Sequence, residues 1–244
     1  MTFCVSIKIR EGLVGIADTR ITAGLEHTTA RKVTLHRIGD RPLFLMTSGL
    51  RSVRDKAMTY FEEVLEESTV GYDKLYQVVN LFATQVRRVA SEDKAALREA
   101  GLDFNLFTIV GGQLEKDREH KLYLLYPEGN WVEVSESTPY FLIGESSYGK
   151  PILDRVLRHS STMESALKLA YLSFDSTRIS AVDVDFPIDV VLYLQRTREL
   201  VHHRYNRKDL QHLPHWWQER LRASVEALPD EWIQEALSKL SRPG

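Results

Sequence analysis

A single α+β domain, in which groups of strands alternate with pairs of helices, is predicted by three features of the sequence. Apolar residues recur with a period of about 2 in some blocks and about 3.6 in others, and the two periods do not mix. Gly, Pro and Asp clusters fall between the strand blocks. The 244 residues are 43% apolar, enough to fill a substantial core.

The elements follow in order. "TFCVSIKIREGLVGIAD" reads as two strands joined at Glu11-Gly12, and "RKVTLHRIGDRPLFLMTS" as two more joined at Gly39-Asp40. From Leu50 the period changes. Leu50, Val53, Ala57, Phe61, Val64 and Leu65 share one helical face, and Leu75, Val78, Phe82, Val86 and Val89 share another, with Gly101 as the stop. "FNLFTIVGG", "KLYLLYP", "NWVEVS" and "PYFLIG" then predict a second sheet. "GKPILDRVLRHSSTMESALKLAYLSF" predicts two helices capped near Ser161 or Thr162, and "PIDVVLYLQRTRELVHHRY" a closing hairpin.

Residues 1–207 therefore form the expected domain, and 208–244 a C-terminal helical extension in which Pro214 and Pro229 stand where helices begin. This tail holds Trp216, Trp217 and Trp232. They suit either packing on the same domain or a contact between subunits.

Composition excludes several classes. A net charge of −2 with 27% charged residues gives no field for nucleic acid or an acidic membrane surface. One cysteine permits no disulfide framework, and no apolar run reaches membrane length. The strand pattern begins directly behind Met1 with no leader-like segment, so a cytoplasmic chain is expected. His202-His203 and His212-x-x-His215 have no Cys or carboxylate cluster to complete a ligand set, and no metal or cofactor is expected. Cys4 fits a small buried apolar residue.

The chemistry lies at the chain start. An α-amino group has a pKa of about 7.7–8.0, so at neutral pH it accepts a proton with little tuning. If Met1 is removed, the amine of Thr2 sits on the same residue as its hydroxyl, and covalent geometry positions base beside nucleophile. Asp18 ends the second strand and Lys32 begins the third, so an antiparallel meander can bring both to one rim with Thr2. A nearby ammonium disfavours a second positive charge and keeps the amine basic, while the carboxylate holds the lysine.

"TFCVSIKIREGLVGIADTRITAG", the lysine of "RKVTLH" and "FLMTSGL" resemble proteasome β-subunits and their bacterial relatives, the N-terminal-nucleophile threonine peptidases. "LIGESSYGKPILDRVL", "SFDSTRISAVDVDFPIDVV" and the tryptophan-bearing tail extend the resemblance to the ancestral β-subunit (Anbu) branch. It spans Thr2 to about Leu240 in five ordered motifs.

That resemblance implies a four-layer αββα sandwich, with helices outside two antiparallel sheets. It also implies a threonine-type peptidase or amidohydrolase that assembles with copies of itself in a ring or open helical turn. In it Thr2 is nucleophile and amine base, Asp18 the carboxylate partner, Lys32 the tuning ammonium and Gly49 the oxyanion donor. "GESS" replaces a family "GSGS"-like stretch, with Glu145 in the serine's place and Ser146 next. Asp175 and Ser180 of "DSTRIS" stand for the family's Asp-x-x-Ser pair, with Ser180 two residues further along. Ile21, Ala30 and Met46 or Thr47 are expected to line a substrate pocket of apolar-to-neutral preference. The alternatives are a scaffold of the same fold that hydrolyses little, or an amidohydrolase of small specialised amides. Nothing identifies a protein substrate or an ATP-driven unfoldase partner.

Overall fold

The computed structural model describes residues 2–23, 26–29, 31–68 and 71–240, with backbone only for 21–23 and 26–29. Two compact units divide the chain, Met1–Asn206 and Arg207–Gly244.

In the first unit, β1 (Phe3–Ile9) and β2 (Gly12–Asp18) pair antiparallel through the expected turn. A small hairpin, β3 (Arg20–Ala23) and β4 (Glu26–Thr29), follows and stands apart as its own two-stranded sheet. β5 (Val33–Ile38), β6 (Arg41–Gly49), β7 (Leu106–Gly112), β8 (Lys121–Leu125) and β9 (Trp131–Glu133) make one five-stranded sheet in that order. The other five-stranded sheet has the order β10-β1-β2-β11-β12, with β10 (Tyr140–Gly144), β11 (Ile188–Leu194) and β12 (Glu199–Tyr205). "PYFLIG" therefore leaves the sheet of its sequence neighbours and pairs with the edge of β1.

α1 (Arg51–Glu67) and α2 (Leu75–Glu99) bury Phe61, Phe82, Val78 and Val86 against Leu43, Leu45 and Val110 of the β5–β9 sheet. Their apolar faces are those read from the sequence, because the helical period leaves one stripe that only a sheet face can cover. α3 (Lys150–Val156) and α4 (Met163–Ser180) flank the other sheet, where Phe174 meets Phe3 edge to face at 5.9 Å. Thr162 caps α4 by accepting the Ser165 N–H. Between the sheets lie Cys4, Leu13, Phe44, Met46, Ile109, Val191 and Tyr193, all fully buried. The architecture is an αββα sandwich.

The second unit holds α5 (His212–Glu226) and α6 (Glu231–Ser238), neither with a buried residue. Trp216 is 52% and Trp232 64% exposed. Among the described residues no helix is long and apolar enough to cross a membrane.

One interior group ties stability to pH. His120 is buried, and its Nε2–H donates to the Ile9 carbonyl at 2.8 Å. Burial lowers the imidazole from 6.5 to about 4. Between those values the unfolded chain binds a proton that the folded chain refuses, so stability falls as pH falls through that window, by up to about 3 kcal/mol. Urea unfolding at pH 7 and pH 4.5 is expected to show this loss, and His120→Gln, which keeps a donor without the charge, to reduce it.

Candidate active site

The site is built where the two sheets meet. Antiparallel pairing sets the start of β1 beside the end of β2, and the Phe3 N–H donates to Asp18 Oδ1 at 2.7 Å. Lys32, just ahead of β5, donates from Nζ to the same oxygen at 2.7 Å. Both side chains of the ion pair are buried, at 3% and 0% exposure. The Lys32 carbonyl accepts the Thr47 N–H at 3.0 Å and the Thr47 hydroxyl at 3.4 Å, which fixes the lysine backbone on β6.

Asp18 and Lys32 thus come together across the sandwich and not along the rim of one meander. The reason is that β5 pairs with β6, in the other five-stranded sheet, so the chain changes sheets between Asp18 and Lys32. Burial pushes the Asp18 carboxyl above its ordinary value, opposed by the Lys32 ammonium and the Phe3 amide. Asp18 Oδ2 is also buried and has no partner among the described residues.

Thr2 is partly buried and held by its backbone: its carbonyl accepts the Glu145 N–H at 2.7 Å. Gly144, at the end of β10, permits that contact. Its φ is +85°, and a Cβ there would lie 1.9 Å from the Thr2 carbonyl oxygen. Behind this turn, Ser173 of α4 donates from its hydroxyl to the Gly149 carbonyl at 2.9 Å, so α4 backs the loop that grips Thr2. Gly144→Ala is expected to displace Thr2 and to destabilise the fold by well over 1 kcal/mol. Urea unfolding together with reactivity at Thr2 measures both effects.

The remaining candidates are distributed as follows. Gly49 ends β6 at φ +146°, and a Cβ there would lie 2.0 Å from the Asn105 carbonyl oxygen. Ser146 follows Glu145 and lines a cavity of about 320 Å³ with Tyr140 and Lys150. Asp175 is buried in α4 and bound by Arg178, Nη2 to Oδ1 at 2.6 Å. Ser180 is exposed at the last residue of that helix. No hydrogen bond joins Asp175 or Ser180 to Thr2 or Asp18 among the described residues.

Of the expected pocket residues, Met46 is wholly buried between the sheets, where it packs with Cys4 and Val33. Thr47 is also buried, its hydroxyl engaged by Lys32. Ala30 and the side chain of Ile21 lie outside the described residues.

Cys4 is buried, with its Sγ 3.8 Å from the Thr47 carbonyl, and burial raises its thiol well above the ordinary value. His202 and Arg204 of β12 reach Asp189, a buried carboxylate of β11, at 3.1 and 2.8 Å. Among the described residues no cluster of three or more His, Cys, Asp or Glu side chains is placed to hold a metal.

A family model described as proteasome subunit matches residues 2–185. The chain belongs to the proteasome-subunit family. Within it, the chain is similar to the Anbu (Gly-1) mutant from Hyphomicrobium sp. strain MC1, at 33% identity and a TM-score of 0.84 over 93% of this chain and 98% of that one. Anbu from Yersinia bercovieri is 30% identical with a TM-score of 0.85, covering 93% and 98%. The Anbu complex from Pseudomonas aeruginosa, solved as a helical assembly, is 30% identical with a TM-score of 0.86, covering 93% and 97%. No curated protein matches the chain. As a proteasome-family, Anbu-type chain it carries the N-terminal-nucleophile hydrolase fold, with Thr2, Asp18 and Lys32 gathered at one end of its inner sheets.

The sequence reading did not pick out Gly144, Thr47 as a brace or Ser173. A glycine between "LI" and a polar turn marks a strand end, but its approach to Thr2 depends on the pairing of β10 with β1.

Proposed function

We propose that the chain is a threonine-type peptidase or amidohydrolase that acts, after removal of Met1, through Thr2. One observation carries the reading: the Asp18 oxygen that binds the amide adjoining Thr2 also binds a buried lysine, each at 2.7 Å. A buried ammonium beside a chain-terminal amine holds that amine neutral and basic.

The freed Thr2 amine takes the proton of its own hydroxyl, whose oxygen adds to the amide carbonyl. The Gly49 N–H donates to the developing oxyanion, at a position where the close Asn105 carbonyl leaves no room for a side chain. The amine returns the proton to the leaving nitrogen and an ester remains on Thr2. Water, deprotonated by the same amine, then releases the acid product. Asp18 and Lys32 are positioning residues in this scheme; Ser146, next to the Glu145 whose N–H holds the Thr2 carbonyl, is assigned to the shell that orders the amine, and Asp175, engaged by Arg178, and the exposed Ser180 would act at most through the α4 backing of the Thr2 loop. The substrate is a peptide or a smaller amide.

Self-association completes the reading. Trp216 and Trp232 stand exposed on helices that bury nothing, a composition suited to contact between copies.

Intact mass after incubation with a β-lactone that acylates N-terminal threonine tests the proposal. The expected result is a chain lacking Met1 and gaining one inhibitor mass on Thr2. Retention of Met1 on the whole population would sink it.

A further inference from the structure

At the end of the sandwich away from Thr2, three turns of the first unit converge on a cleft of about 610 Å³. The β1–β2 turn supplies Arg10 and Glu11, the segment between β7 and β8 supplies Gln113 and Arg118, and the β11–β12 turn supplies Arg196 and Arg198. The length of β1, at roughly 3.3 Å per residue, sets this rim about 20 Å from Thr2.

The charge there is unbalanced. The side chains of Arg10, Arg118 and Arg196 have neither a hydrogen bond nor an ion pair among the described residues. Glu11, the single lining carboxylate, already accepts the Met163 N–H at 2.9 Å. Arg198 lies 3.9 Å from Glu115, a carboxylate that Arg41 already engages at 3.0 Å. In a chain of net charge −2, four guanidinium groups around one cavity, three of them with no partner among the described residues and the fourth sharing Glu115 with Arg41, are a local excess of positive charge that Glu11 and Glu115 only partly offset.

The floor is built. Gln113 is buried, donating to the Asp117 carbonyl at 3.1 Å and accepting from the Tyr193 hydroxyl at 3.4 Å. Arg198 also sits at φ +57°, a left-handed conformation that glycine or asparagine adopts at less cost. Its N–H closes the β11–β12 turn on the Leu194 carbonyl at 2.8 Å, which fixes where its side chain leaves the cleft rim.

We propose that this cleft binds a phosphate chain, a di- or triphosphate anion, free or as part of a nucleotide. A single carboxylate occupies one guanidinium fork. Several forks spread around a cavity of small-molecule size match an anion with many oxygens and more than one charge.

Calorimetric titration of tripolyphosphate into the full-length protein, in about 0.1 M salt, tests this. Saturable binding at one site per chain is expected, together with a raised thermal midpoint. Arg118→Gln combined with Arg196→Gln should weaken it by roughly tenfold or more, whereas Arg51→Gln, on α1, should leave it unchanged. Arg198→Gly should raise the ligand-free midpoint while weakening binding, a combination that no purely structural role produces. Equal affinity for ATP and tripolyphosphate assigns the free chain, and tighter ATP binding assigns a nucleotide. Binding no stronger than that of sulfate at equal ionic strength, or binding undiminished in the double variant, overturns the proposal. Because the readouts are affinity and midpoint, this result is independent of whether Thr2 is a nucleophile.

Discussion

Thr2→Ala is expected to abolish turnover of amide substrates, by at least about 10³-fold, and to leave the protein folded. The hydroxyl is the atom asked to form the ester, and no group within the same residue can replace it. The fold, in contrast, uses Thr2 through its carbonyl, which accepts the Glu145 N–H and which alanine retains. Alanine is also small enough for Met1 to be removed, so intact mass separates loss of the nucleophile from failure of processing. Thr2→Ser should keep measurable acylation by the β-lactone. If Thr2→Ala keeps wild-type turnover, the reaction belongs to another group and the proposed chemistry fails.

The second large effect is on stability. Lys32→Met removes the ammonium from a pair with 3% and 0% exposure and leaves Asp18 with only the Phe3 N–H. An uncompensated buried charge costs about 3–5 kcal/mol, measurable as a shift of the urea midpoint at pH 7. The carboxyl, already pushed upward by burial, then loses the partner that opposed the shift. Lowering the pH protonates it and should recover part of the lost stability. Adding Asp18→Asn should restore most of it at pH 7 and none of the activity. A double variant as unstable as Lys32→Met would show that the lysine stem, not its charge, was needed.

How much was legible in the sequence depends on distance along the chain. The hairpins β1–β2 and β5–β6 and the helices α1, α2 and α4 were readable, because each is set by local period and by turn residues such as Gly39 and Gly101. The transfer of β10 to the edge of β1 was not, since strand pairing across more than 130 residues leaves no trace in either segment. The β3–β4 hairpin was missed because it is short and polar.

The site follows the same rule. Asp18 beside Thr2 is a hairpin register, whereas Lys32 was placed with the wrong sheet, and Gly144 and Ser173 gained meaning only from packing. Met46 lies on β6 with its side chain between the sheets, a facing that period-2 alternation alone does not fix.

The division of the site between two sheets has a consequence for biogenesis. Thr2 and Asp18 belong to the first hairpin to be synthesised, Lys32 to the second sheet, and Gly144 to β10, which returns to the edge of β1 only after the strands of the second sheet have been made. A nascent chain with only part of its sandwich assembled holds Thr2 and Asp18 without Lys32 or the Gly144 turn that receives the Thr2 carbonyl. On the proposed chemistry, competence to cleave an amide arrives only when both sheets are assembled, so that half-made chains stay inert toward one another and toward the ribosome's other products.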